Sequence, residues 1–145
     1  MSASAQDRAD VIEVLDRYAT ALDRRDWSLL DEVFTADARV RMGGADVVGR
    51  AAVVAAIRGF LDGCGPTQHL LGNYRVMLRA DRGESACYVR AFHAGDGVHA
   101  GRTYEVGIEY RDELARTADG WRISARSFHT LWETGHREIL GPARS

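Results

Sequence analysis

From Gln6 to about Asp23, apolar residues recur at Val11, Leu15, Tyr18, Ala19 and Leu22, the spacing of a helix with one buried stripe. The charged run "RRD" breaks the stripe, and Asp26 stands where it can cap a second short helix carrying Leu29, Leu30, Val33 and Phe34. Alternation in "ARVRM" predicts a first strand from Ala38 to Met42, stopped by Gly43-Gly44. The alanine-rich "GRAAVVAAIRGFLDG" predicts a third helix, closed by Gly63. Beyond Pro66 the period shortens to two. Alternating segments at His69–Ala80, Ser85–His93, Arg102–Leu114 and Trp121–Trp132 are separated by "DRGE", "GDGV" and "ADGW", all turn-forming. The tail from Glu133 is polar and is expected to fray or to pack on a neighbour.

Helices gathered at the start and strands after them define an α+β chain. A sheet of about five long strands twists, and curling around the helices makes it a cone with a concave hollow. The pattern predicts a single domain over residues 1–145, with its core at about 6–132 and a C-terminal tail at 133–145. A hollow lined by apolar groups and a few polar ones is the default place for a small ligand.

Composition narrows the chemistry. A net charge of −2 gives no field that would draw the chain to nucleic acid or to an anionic membrane. No apolar run approaches the roughly 18 residues of a membrane span, and "MSASAQDRAD" lacks the basic and apolar regions of a signal peptide. A cytoplasmic location is therefore expected. All 19 cationic side chains are arginine, and without lysine there is no Schiff base, no covalently held pyridoxal phosphate and no P-loop lysine. Cys64 and Cys87 stand in no metal or redox spacing and read as buried thiols. Of the five histidines, no two have the spacing of a zincin helix. No metal is expected.

The segments "IEVLDRYATALDRRDWSLLDEVFTADARV", "GRAAVVAAI", "HLLGN" and "DGWRISAR" occur in an order and spacing that resemble the SnoaL-like branch of the nuclear-transport-factor-2-like superfamily. The resemblance implies a cone-shaped antiparallel sheet wrapped around three N-terminal helices. Within that superfamily the chain is similar to scytalone dehydratase, bile acid 7α-dehydratase and hexachlorocyclohexane dehydrochlorinase, lyases that use a first-helix aspartate with a strand histidine and no cofactor. Asp23 matches the aspartate and His69 the histidine. Tyr18 matches a pocket tyrosine, His93 falls near a second histidine, and Arg126 falls near a C-terminal-strand arginine. The serine and asparagine that complete the scytalone dehydratase site have no counterpart here. Association through the outer face of the sheet, as a homodimer or homotrimer, is implied in the same way.

Read residue by residue, the candidates divide. Asp23 lies at the border of the helical stripe, and beside an imidazole it would fix the tautomer and stabilise the imidazolium. His69 is then the expected base, Tyr18 a donor to a developing oxyanion, and His93 an acid. Asn73, four residues after His69, is expected on the same strand face, and with Trp27 and Arg126 it forms the expected substrate-binding set. For Arg126 the pattern carries a conflict: it alternates with Trp121, Ile123 and Ala125, so it points outward if they face the helices. The reaction expected is a dehydration of a small polyketide- or steroid-like substrate. An isomerase or cyclase would use the same residues, and a non-catalytic ligand-binding or subunit-supporting module would need a filled cone with Asp23 and His69 apart.

Overall fold

The computed structural model describes residues 4–142. Helix α1 spans Ala5–Arg24 and opens on a capping box, in which the Asp7 amide donates to Ser4 Oγ (3.0 Å) and the Ser4 amide to Asp7 Oδ2 (3.2 Å). The Asp7 carboxylate also accepts from Trp121 Nε1 at 3.2 Å and Arg116 Nη2 at 2.8 Å, so the helix start is tied to the far end of the sheet. These bonds, Trp121 foremost, hold the carboxyl down at about 2. At the other end Arg25 takes a left-handed conformation, φ 53°, and its amide caps carbonyls of the last turn.

The second helix is a 3₁₀ segment, Trp27–Glu32, and it is shorter than the sequence predicts. Asp26 makes no side-chain cap; its carboxylate accepts from Ser28 Oγ instead. Val33 and Phe34, placed in that helix by pattern, leave it, and Phe34 begins strand β1, Phe34–Met42. The Gly43-Gly44 turn leads into a short β2, Ala45–Val48, that alternation does not reveal in four residues. Helix α2, Arg50–Leu61, buries Val53, Ile57 and Leu61. Then come β3, Thr67–Arg79; β4, Arg82–Ala94; β5, Thr103–Thr117; and β6, Gly120–Gly135.

The six strands form one curved, unclosed sheet in the order β2-β1-β6-β5-β4-β3, antiparallel except where β1 runs parallel to β6. Three helical segments, α1, the 3₁₀ turn and α2, belong to its inner side, giving the expected α+β cone. The tail departs from expectation. Strand β6 continues to Gly135, and the chain then turns back on α2, burying Ile139; the Gly63 amide donates to Gly141 O and the Gly141 amide to Phe60 O, both at 2.9 Å. Polarity of the tail as a whole concealed that one apolar anchor.

Register shifts interrupt the long antiparallel strands at three places, one of them at Leu131 between Gly107↔Trp132 and Ile108↔Thr130, and the other two change the face of a candidate residue. In β3 the register passes from Gly72↔Tyr88 to Arg75↔Ala86, one residue in excess, with Asn73 at φ 51°. In β6 it passes from Ile123↔Leu114 to Ala125↔Glu113, with Ser124 in excess. Because strand faces alternate, one inserted residue exchanges them.

Candidate active site

The Asp23 carboxylate sits where the last turn of α1 crosses the start of β3. Its Oδ1 lies 2.7 Å from His69 Nδ1, and its Oδ2 accepts the His69 amide at 2.9 Å. Thr67 Oγ1 donates to the same Oδ1 at 2.9 Å. A helix end and a strand start are thereby locked together by one side chain. Burial pushes the Asp23 carboxyl up, but the hydrogen bonds from the His69 ring and amide and from Thr67 outweigh it, leaving the group below the usual carboxylate range. A carboxylate can only accept, so neutral His69 carries its proton on Nδ1 and a lone pair on Nε2. Nε2 has no hydrogen-bond partner among the described residues and is not one of the fully buried polar atoms left without one. That nitrogen is the free base.

His93 stands beside this pair from β4, its ring edge-on to His69 with centroids 5.6 Å apart. Its Nδ1 lies 3.2 Å from the Tyr104 carbonyl oxygen and must donate to it. Burial, with the neighbouring His69, depresses His93 to about 4. At neutral pH it is an uncharged acceptor at Nε2, so the acid role expected from sequence does not suit it. His69 is equally covered: its side chain is 6% exposed against 22% for Asp23.

Tyr18 and Arg126 form a second centre. The Arg126 guanidinium lies 4.4 Å from the Tyr18 ring and 4.1 Å from the Tyr110 ring. It is held by Asp112 through two parallel bonds, 2.6 and 2.8 Å, with both side chains fully buried. Arg126 Nη1 is left without a partner. Trp121 and Ile123 do face the helices, yet Arg126 does too: the extra Ser124 exchanges the faces between Ile123 and Arg126. The outward orientation implied by plain alternation is therefore corrected. Burial raises the Tyr18 hydroxyl, keeping it protonated as a donor. His69 is in register with Val106 through Ala91, whereas Tyr18 rests on Tyr110, so the two centres are separated by about 13 Å of β5 at ~3.3 Å per residue.

Two expected substrate contacts lie elsewhere. The bulge that begins at Asn73 turns that residue to solvent and gives the inner face to Tyr74, so Asn73 does not share the face of His69. Trp27 packs toward α2 under Arg58, 5.7 Å from its ring, and lines an external cleft with Asp31, Arg50 and Val54. The open hollow expected from curvature is also corrected. Val53, Ile57, Leu61, Val89, Ala91, Val106 and Ile139 fill the inner side. A cleft of about 650 Å³ lies between Arg39, Arg41, Arg75 and Arg111, and one of about 660 Å³ beside Met77, Arg82, Glu113 and Ser124; neither Asp23 nor His69 lines either of them.

Missed by sequence reasoning were Thr67, Tyr110 and Asp112. Thr67 carried a readable signal, since two residues before His69 is the same strand face. Asp112 carried none, because its partner was assigned to the other face.

Comparison with known proteins places this geometry in a family. An uncharacterized protein of Mycobacterium tuberculosis strain H37Rv, Rv2910c, is 34% identical over 130 residues, spanning 86% of this chain and 85% of its own. A solved NTF2-like protein with a cystatin-like fold from Novosphingobium aromaticivorans is 29% identical, with TM-score 0.68 over 87% of this chain and 82% of that one. The hexachlorocyclohexane dehydrochlorinase LinA-type3 from Novosphingobium barchaimii LL02 shares the fold at TM-score 0.79 with 16% identity, over 92% of this chain and 94% of that one. A model of the SnoaL-like domain matches residues 3–127. By this match, and by a fold shared with NTF2-like structures, the chain belongs to the SnoaL-like domain family.

Proposed function

We propose that the protein is a cofactor-independent lyase, acting as a dehydratase on a small organic substrate with an acidic C–H beside a carbonyl. The observation that carries this reading is the 2.7 Å contact of Asp23 with His69 Nδ1, which leaves Nε2 as a directed lone pair. His69 Nε2 takes the proton next to the carbonyl, and the C–H electron pair becomes the new carbon–carbon double bond as the β-hydroxyl leaves. The imidazolium, stabilised by Asp23, returns its proton to the departing hydroxide and water is released. His93, neutral and accepting at Nε2, orients the substrate hydroxyl before it leaves. Tyr18, about 13 Å along β5 from the His69 centre, is too far to reach that carbonyl; with Arg126 behind it, it would donate to a second polar group at the far end of an extended substrate. Isomerisation or ring closure would use the same proton transfers on a different substrate. One protein that shares the fold is by name a hexachlorocyclohexane dehydrochlorinase.

The filled interior favours a second reading, a non-catalytic ligand-binding or partner-supporting module. Incubation with a panel of β-hydroxycarbonyl compounds, followed by absorbance of the conjugated product, separates the two. Turnover should fall about 10²–10⁴-fold in both His69→Ala and Asp23→Asn, with both variants still folded cooperatively. Turnover that survives both substitutions overturns the lyase reading and leaves the module. Under either reading we propose self-association as a homodimer or homotrimer through the outer sheet face, where Leu70, Met77, Tyr88, Phe92 and Trp132 are exposed.

A further inference from the structure

Arg25 follows α1 directly, and its guanidinium spans three elements. Nη1 donates to Leu22 O at 2.6 Å and to Thr67 Oγ1 at 2.8 Å, and Nη2 donates to Gly65 O at 2.8 Å. Thr67 Oγ1 has a single proton, and the oxygen already receives the Arg25 donor. Its hydroxyl hydrogen is therefore committed to Asp23 Oδ1, 2.9 Å away. The left-handed backbone at Arg25, φ 53°, turns the chain at this point.

We infer that Thr67, oriented by Arg25, is a positioning residue that fixes the rotamer of Asp23 and through it the tautomer of His69. This rests on the lyase reading for its catalytic meaning, but its structural content is independent of it. Asp23 lies in the last turn of α1, where the backbone is still helical but χ1 and χ2 remain to be fixed. The His69 amide holds Oδ2 and the ring holds Oδ1. These donors belong to β3, as Thr67 does, and neither by itself ties the carboxylate to the helix side. The Arg25–Thr67 chain does, because Arg25 also grips Leu22 O of α1 itself. Without it only the His69 amide and ring hold the carboxylate, its rotation away from Nδ1 becomes easier, and a tautomer protonated on Nε2 becomes accessible. A proton on Nε2 removes the lone pair that would take the substrate proton. The titratable and charged groups facing this chain are His93 from β4, Arg25 itself, and Cys64, whose thiol feels Arg25.

The test is ¹⁵N NMR of the imidazole nitrogens at a pH where His69 is neutral, on the whole protein without substrate. The wild type should show His69 in one tautomer, protonated at Nδ1. Thr67→Val, nearly isosteric, should give a mixture of both tautomers, and Thr67→Ser should restore the single one. Thr67→Ala serves as the second variant should valine crowd the strand start. A single Nδ1 tautomer retained in both the valine and alanine variants overturns the inference, as does a wild type that averages between forms. With a turned-over substrate in hand, Thr67→Val should lower kcat about 10- to 100-fold at unchanged KM, with rescue by serine. The NMR result stands whether or not the protein is a lyase, so the two readings fail separately.

Discussion

Arg126 shows how much one side chain can depend on its surroundings. Its charge is buried with Asp112 and stacked on two tyrosines, so loss of the carboxylate leaves a cation with no solvent and no partner. Asp112→Asn should destabilise the protein by about 3–5 kcal/mol in urea unfolding, and pairing it with Arg126→Met should recover much of that loss. His93 gives a prediction of opposite character. Its folded value, about 4, lies below the 6.5 of a free histidine, so the unfolded chain binds a proton first as pH falls. Its effect is absent above about pH 6.5 and costs stability progressively down to about pH 4, by at most roughly 3 kcal/mol. His93→Asn should flatten the dependence of unfolding free energy on pH within that window; an unchanged slope would refute the assignment. Asp23 and His69 were singled out by the segment order that resembles the SnoaL-like branch, since by period alone a border carboxylate and a lone strand histidine read as ordinary surface residues; the structure brings the two side chains together. Thr67 was legible in principle from period two, while Arg25 was not, since a guanidinium after a helix is ordinarily solvated.

Elements were legible in kind and less so in extent. Alternation located every long strand, but it has no means of sensing an extra residue, and the bulges fell inside segments that read as regular. The misassigned faces of Asn73 and Arg126 follow from that single blindness. Asn73 tolerates its left-handed conformation because a short polar side chain fits there. Asn73→Val should therefore cost about 1–2 kcal/mol, whereas Asn73→Gly should leave thermal stability nearly unchanged; equal melting of the two variants would remove the conformational explanation. The returning tail was hidden for a different reason: a three-residue 3₁₀ turn with one apolar anchor leaves no periodicity. Ile139→Ala should lose about 2–5 kcal/mol, a cost that a frayed tail would not register.

At the scale of the molecule, helices on one side and a curved sheet on the other followed from element order, and the filled interior did not, since curvature says nothing about side-chain volume. The outer face shows the same limit. Gly107 has no side chain, and a Cβ there would meet the Trp132 indole at 2.2 Å, so the ring lies flat across β5 within reach of Arg90, 5.5 Å from its centroid. Under the proposed association through this face, the wild type should show the mass of two or three chains by light scattering, and Trp132→Arg combined with Phe92→Asp that of one; a wild-type mass of one chain, or a variant mass unchanged, overturns it. The strand order has a further consequence for synthesis. Because β6 stands between β1 and β5, the first two strands have no neighbour in the main sheet until residues 120–135 have left the ribosome. The nascent chain must hold an unpaired hairpin for most of its translation, and the sheet closes its middle last.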